Sequence, residues 1–360
     1  MSDMARRKTR QLNIGGVLVG ADAPVTVQSM TNTDTRDVAA TVAQIMALTD
    51  AGCEIARVAV PDMDSAKAVG EIKKAVSIHI VADIHFDWML AIACLEGGVD
   101  CLRINPGNIG DTDRVRQVVK GAAARGVPIR IGVNAGSLEK DILALYGHPT
   151  AEALVDSAMR HISILEEMDF REIKVSLKAS SVPLTIESYR LLAEQVDYPF
   201  HIGITEAGTL FSGTIKSAAG LGILLADGIG DTMRVSLTGD PVDEVRAGWE
   251  ILKALEIRKR GATIISCPTC GRLKFNSIAI AKEIEARLAH VKDSVKIAIM
   301  GCVVNGPGEA MEADIGIAGG DGAGMLYVKG VQVRKVKEEE IVKAVLEEVD
   351  RLLAERKAGC

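Results

Sequence analysis

Along the first 240 residues, short apolar runs rich in Val and Ile alternate with segments whose apolar residues recur at spacings of three and four. The runs are 25–29, 55–60, 78–83, 101–105, 129–134, 172–177, 200–205 and 232–237. Each is predicted to be a strand. Most are followed by a helical pattern, clearest over 38–49 and 151–168. Strand–helix alternation means a parallel sheet. Eight such units over about 250 residues fit a closed (β/α)8 TIM barrel. An open doubly wound sheet alternates in the same way. The count of eight, and polar residues at nearly every strand's C-terminal end, favour the barrel. Residues 11–19 are expected to form a hairpin under it.

The pattern changes at the IRKRG of 257–261. Beyond it, a strand (262–266), a helix (275–290), a strand (295–300), a glycine-rich stretch, strands around Ile315 and Tyr327, and a helix from Glu338 to Arg356 describe a small α+β domain. The expected division is residues 1–258 and residues 259–360.

Period-two reading of the barrel strands changes the picture. Residues two apart share a face, so Arg103 and Asn105 lie together, as do Arg130, Gly132 and Asn134, then Lys174, Ser176 and Lys178, then Arg234, Ser236 and Thr238. Arg57 stands in RVAVP, Asp83 and His85 in ADIHF, His201 and Glu206 in HIGITEAG. Parallel strands are normally continuous apolar runs, and a buried cation without a partner costs several kcal/mol. Asp83 and Glu206, the carboxylates nearest in these motifs, are too few to pair all the cations. The missing negative charge points to a ligand with two phosphates, which Arg grips bidentately and Lys meets as a point charge. The alternative is that each cation pairs with a loop carboxylate or reaches solvent. Asp83, His85 and Glu206 are candidates for acid–base work or for structural roles. His79, His148, His161 and His290 show no constellation and read as surface or helix histidines.

Composition removes other classes. Aromatics are 3% and net charge is −6, with no dense basic run outside residues 6–10. A nucleic-acid or anionic-membrane partner therefore has little support. No apolar segment reaches a membrane span, and the polar N-terminus has no secretory pattern, so the cytoplasm is the expected location. In that reducing setting the seven cysteines suggest metal or redox chemistry. Cys53, Cys94 and Cys101, in barrel helices or at a strand start, read as small buried apolar residues, and Cys360 as disordered. Cys267-Pro-Thr-Cys270 and Cys302 in GCVVNGPGE each end a β-rich run, and Gly306, Pro307 and Gly308 allow a tight fold that brings Glu309 to the same centre. Zinc ribbons usually carry a second CxxC. Three thiolates plus a carboxylate suit a 4Fe-4S cluster with one exchangeable iron; structural zinc is the alternative.

These motifs, with VQSMTNTDT, RINPGN, IRIGVNAGSL, KVSLKAS and SCPTCGR, closely resemble the bacterial two-domain 4-hydroxy-3-methylbut-2-enyl diphosphate synthase family of the methylerythritol phosphate route to isoprenoids. The resemblance covers essentially the whole chain. It implies an iron–sulfur oxidoreductase that opens 2-C-methyl-D-erythritol 2,4-cyclodiphosphate and removes a hydroxyl with two electrons. A 4Fe-4S cluster on Cys267, Cys270, Cys302 and Glu309 delivers them, and reduced flavodoxin or ferredoxin supplies them. It also implies a homodimer in which the cluster domain of one subunit caps the barrel of the other. The implied roles are diphosphate binding for Arg57, Arg103, Arg130, Lys174 and Arg234, orientation for Asn105 and Asn134, proton donation for Glu206 with Asp83 and His85 in support, and displacement of Glu309 by a substrate oxygen. The competing readings are a barrel sugar-phosphate lyase with a structural zinc domain, using Lys174 or Lys178 as a Schiff base, and a non-catalytic iron–sulfur sensor.

Overall fold

A computed structural model describes residues 5–268, 270–320 and 322–358. The chain divides into two compact units between Arg258 and Lys259. Cys360 lies outside the described residues.

The first unit opens with a hairpin, β1 (Leu12–Ile14) and β2 (Val17–Val19). Ile14 and Val19 pack on Ile55, Val81 and Cys101 at the N-terminal side of the barrel. The barrel strands are β3 (Thr26–Met30), β4 (Ile55–Val60), β5 (His79–Ile84), β6 (Cys101–Ile104), β7 (Ile129–Asn134), β8 (Ile173–Lys178), β9 (His201–Ile202) and β10 (Thr232–Met233). All are parallel to their neighbours, in the order β8-β7-β6-β5-β4-β3-β10-β9. The surrounding helices are α1 (Val38–Ala51), α2 (Met63–Ala75), α3 (Trp88–Glu96), α4 (Thr112–Arg125), α5 (Lys140–Tyr146), α6 (Ala151–Glu166), α7 (Val182–Ala193), α8 (Leu210–Ala226) and α9 (Pro241–Ala254). Side-chain caps start many of them: Asp37, Asp62, Asp87, Asp111, Thr150, Ser181 and Asp240 each accept a backbone N–H of the first turn. A capping residue at the end of a βα loop satisfies one orphan donor and fixes where the loop stops.

Two strands are shorter than their apolar runs imply. β9 and β10 each keep two residues in the ladder. Beyond them Arg234 N still donates to Ile202 O at 3.0 Å, but Gly203 onward leaves the ladder; a Cβ on Gly203 would stand 2.8 Å from the Arg234 carbonyl oxygen. The join between β8 and β9 is correspondingly thin. Val175 N donates to Pro199 O at 3.0 Å. The Tyr189 hydroxyl of α7 fills the gap, accepting from Leu177 N at 2.9 Å and donating to His201 O at 2.6 Å. α5 is an extra helix between β7 and α6. Cys94 and Cys101 are buried where expected, whereas Cys53 lies in the turn after α1. Burial pushes the Cys53 and Cys94 thiols up to about 12, which leaves them inert.

The second unit contains β11 (Ala262–Ser266), α10 (Ser277–Leu288), β12 (Val295–Met300), α11 (Gly306–Met311), β13 (Ile315–Gly320), β14 (Ala323–Val328), β15 (Val331–Lys337) and α12 (Ile341–Ala358). The sheet order is β11-β12-β13-β14-β15, parallel through β13 and antiparallel after it. α10 and α12 bury Ile280, Ile284, Val345 and Val349 against Ile297, Ile315 and Leu326. β15 was not expected: it is an edge strand, exposed at every residue except Val336, so no buried face marks it. The glycine-rich stretch is a short helix, α11, rather than a tight loop. Gly316 makes room for it, since a Cβ there would lie 2.5 Å from Ala310 Cα. Among the described residues no helix is long and apolar enough to cross a membrane.

Tyr189→Phe removes the hydroxyl that satisfies a buried N–H and a buried carbonyl at the barrel join. It is expected to lower unfolding stability by about 2–6 kcal/mol, each of the two orphaned groups costing about 1–3 kcal/mol. Urea titration followed by circular dichroism measures this.

Candidate active site

Strand register builds the site. Asp83 on β5 pairs with Arg103 on β6, Arg103 with Arg130 on β7, and Arg130 with Lys174 on β8. Register partners point to the same face, so one carboxylate and three cations form a row across four strands. Barrel strands tilt against the axis, and the row therefore descends. Asp83 is the penultimate residue of β5, but Arg130 and Lys174 are second in theirs. Both are 0% exposed.

Asp83 is the hub. Its carboxylate lies 3.6 Å from Arg57 Nε and 3.3 Å from Arg103 Nη1. Burial alone would raise its pKa, but Arg57 and Arg103 outweigh burial and hold it below the usual carboxylate range. Arg103 reaches across β7: Nη2 donates to Gly132 O at 2.6 Å, and a Cβ at position 132 would sit 2.4 Å from Nε. Only glycine leaves that space. Asn105 Oδ1 accepts from Gly132 N at 3.0 Å, and Asn134 Oδ1 from Gly136 N at 2.9 Å. His85 Nε2 lies 3.0 Å from Arg103 Nη1. Burial, with Arg103 and Lys178 nearby, lowers its pKa. A neutral ring accepting at Nε2 fits that contact.

Two cavities open at the strands' C-terminal ends. The larger, about 150 Å³, is lined by His85, Phe86, Arg103, Asn105, Asn134 and Lys178, among others. The smaller, about 50 Å³, is lined by Arg57, Lys178, His201, Thr205, Arg234 and Ser236, among others. Phe86 is exposed and has a φ of 65°, and Asp87 N closes back onto His85 O. A bulky residue in this region carries strain. His201 Nδ1 and Thr232 Oγ1 are 2.7 Å apart.

The structure brings Arg57, Arg103, Asn105, Asn134, Asp83, His85 and Arg234 together, with three departures. Arg234 is already paired: Nε and Nη2 each meet the Glu244 carboxylate of α9 at 3.0 Å. The second carboxylate of the mouth is thus Glu244, not Glu206, which is exposed on the loop after β9 with a φ of 52° and lines neither cavity. Arg130 and Lys174 also line neither. Among the described residues, the guanidinium nitrogens of Arg130 and the ammonium of Lys174 have no hydrogen-bond partner; burial pushes their pKa values down to about 10 and about 8. The residue that links the cavities is Lys178, recognised on its strand face but named for a role only in the lyase alternative. Burial, then Arg57, Arg103 and Arg130, hold its ammonium well below the ordinary lysine value. Six cations thus meet two carboxylates, an array able to stabilise a polyanion.

In the second unit, Cys267 follows β11 and Cys302 follows its parallel neighbour β12. Gly301 N donates to Cys267 Sγ at 3.3 Å. The backbone N–H groups of Val304 and Asn305, and then Arg272, lower the Cys302 pKa and favour its thiolate. Cys270 and Glu309, the latter on α11, are exposed. Among the described residues, no three Cys, His, Asp or Glu side chains converge tightly enough to hold a single metal ion. Three of the four expected donors are soft sulfur atoms, and backbone N–H groups are directed at the sulfurs of Cys267 and Cys302, which is the chemistry that suits an iron–sulfur group.

The fold and site define a (β/α)8 barrel with a strongly cationic mouth, joined to a smaller unit with thiols at its strand ends. The chain belongs to the GcpE family: it matches the GcpE TIM-barrel domain over residues 9–249 and the GcpE protein C-terminal domain over residues 263–351. A relative from Geobacter sulfurreducens, named 4-hydroxy-3-methylbut-2-en-1-yl diphosphate synthase (flavodoxin), is 63% identical over 98% of this chain and 99% of its own length. One of the same name from Symbiobacterium thermophilum is 57% identical over 98% and 96%. Among solved structures, Plasmodium falciparum HPPK-DHPS aligns with a TM-score of 0.50 and 10% identity, over 69% of this chain and 49% of that one; this is a likeness of fold alone.

Lys174→Met should stabilise the unliganded protein at pH 7 by about 3 kcal/mol, at about 1.4 kcal/mol per pKa unit. The folded lysine titrates near 8 and the unfolded one near 10.4. The cost of the buried charge is full below pH 8 and is relieved as pH rises toward 10.4. The stability difference between variant and wild type should therefore shrink from pH 7 to pH 10 in urea titrations.

Proposed function

We propose that this chain is a 4-hydroxy-3-methylbut-2-en-1-yl diphosphate synthase. Its substrate would be 2-C-methyl-D-erythritol 2,4-cyclodiphosphate, its product 4-hydroxy-3-methylbut-2-enyl diphosphate. Two electrons and two protons open the ring and release one water, and reduced flavodoxin is the donor. The observation that carries the reading is the excess of cations at the barrel mouth in a chain that matches synthases of this name along nearly its whole length.

In this reading Arg57, Arg103 and Lys178 grip the two phosphates, and Asn105 and Asn134 orient them. Arg130 and Lys174 act from below through their field, which is strong where water is excluded. Asp83 stays ionised and keeps Arg57 and Arg103 aimed. His85 is neutral and fixes the other side of Arg103. Arg234, locked by Glu244, shapes the wall. Glu206 donates the proton for hydroxyl loss; its neighbour Thr205 lines the smaller cavity. A 4Fe-4S cluster on Cys267, Cys270, Cys302 and Glu309 would supply electrons one at a time. The homodimer and the cytoplasmic location belong to the same proposal.

Protein purified without oxygen is expected to be brown, with about four irons and four sulfides per chain. Cys302→Ser should lose that iron and the cyclodiphosphate activity while keeping the wild-type far-ultraviolet circular dichroism. A fully active, colourless Cys302→Ser protein would sink the proposal. One tightly held zinc, with borohydride trapping of a sugar phosphate on Lys178, would turn the assignment to a lyase.

A further inference from the structure

Two loops at the barrel mouth lie outside the sheet. One follows β6 and supplies Asn105, Asn108 and Ile109 to the larger cavity; the other starts at Asn134, the last residue of β7, and supplies Ser137. Each makes a single 3-10 turn, over Pro106–Asn108 and Ala135–Ser137. A side chain read as ordinary from the sequence stands behind both. His161 on α6 is 2% exposed. Its Nδ1 accepts the Gly107 N–H at 3.2 Å. Its Nε2 lies 2.8 Å from Glu139 Oε1. Glu139 ends the second loop, immediately before α5, and its other oxygen accepts from Ser157 Oγ, also on α6, at 2.8 Å. The Nδ1–Cε1 edge of the ring is pressed against the first loop: a Cβ on Gly107 would stand 2.8 Å from His161 Cε1. One imidazole thus ties the backbone of one loop and the carboxylate of the other to a single buried helix.

We infer that His161 is a positioning residue: it sets Asn105 and Asn134 for the anion through Gly107 and Glu139, without touching the ligand. The inference rests on the proposed function for its substrate and on geometry for its mechanism. Two substitutions divide the two contacts. An Asn amide oxygen stands in for Nδ1, and a Gln amide nitrogen for Nε2. His161→Asn therefore keeps the Gly107 contact and releases Glu139; His161→Gln does the reverse; His161→Leu releases both.

The test measures pyrophosphate affinity by calorimetry, KM and kcat for the cyclodiphosphate, iron content, and amide exchange of residues 105–109 and 134–138. The expected result is a rise of roughly three- to tenfold in pyrophosphate Kd and in KM for Asn and Gln, and a larger rise for Leu. kcat should change less than about threefold and iron content should be unchanged. Exchange should quicken in the 105–109 segment for Gln and in the 134–138 segment for Asn. Wild-type pyrophosphate affinity in a folded Leu variant overturns the inference. Should Leu fail to fold, wild-type affinity in both Asn and Gln overturns it equally. A wild-type protein that binds pyrophosphate but never turns over the cyclodiphosphate sinks the proposed function, and the pyrophosphate and exchange results still decide the role of His161.

Discussion

Positive charge held inside a parallel barrel is the constraint around which the first unit is arranged. Asp83 is the one acidic member of a row whose other members are Arg103, Arg130 and Lys174. Its ionised carboxylate is shared by Arg57 and Arg103. The deeper cations, Arg130 and Lys174, have no such partner among the described residues. A row of this kind is costly by itself, since each desolvated charge weakens its neighbour. The protein tolerates it because about sixty buried apolar side chains surround it in one continuous core, and favourable burial of that extent offsets a few kcal/mol of electrostatic strain.

The same constraint explains small residues that otherwise have no evident purpose. Gly132 gives the Arg103 guanidinium room to cross its neighbouring strand. Gly203 brings two backbones close enough for Arg234 to enter the mouth. Glu244 comes from a helix ten residues further along the chain, clamps Arg234 in two places, and also accepts from Ser29 Oγ and Leu237 N. Arg234 is in this way removed from the free charge of the mouth and made part of its frame.

How far the sequence reveals this depends on what kind of force sets each feature. β4, β7, β11 and β12 are legible to the residue, because continuous apolar runs stop where burial stops. β9 and β10 are not: their runs stay extended past the point where pairing ends, and pairing is a property of the neighbour. β15 is invisible to a search for buried faces, because nearly all of it meets solvent. The cations of the mouth could be read from period two alone. Their depth could not, since it comes from strand tilt, which moves register partners to different heights. Glu244 and the His161–Glu139 pair required tertiary contact to be seen, as nothing in local spacing joins a helix residue to a loop on another strand.

The wall of the barrel is also uneven in what joins it. The β4–β5 and β7–β8 ladders each run to six register pairs, whereas between β8 and β9 a phenol hydroxyl and two scattered backbone hydrogen bonds, Val175 N to Pro199 O and Thr205 N to Ala179 O, do most of the joining. A cylinder cut along one line and pinned there has an expansion joint. The side of the mouth formed by Gly203, Thr205 and Ser236 sits beside that joint, whereas Asp83 and Arg103 sit on continuous sheet. A ligand that changes shape while it reacts, from a closed ring to an open chain, would then press against a compliant side and be gripped from a stiff one. The scaffold would absorb the change in girth without moving the charges that hold the phosphates.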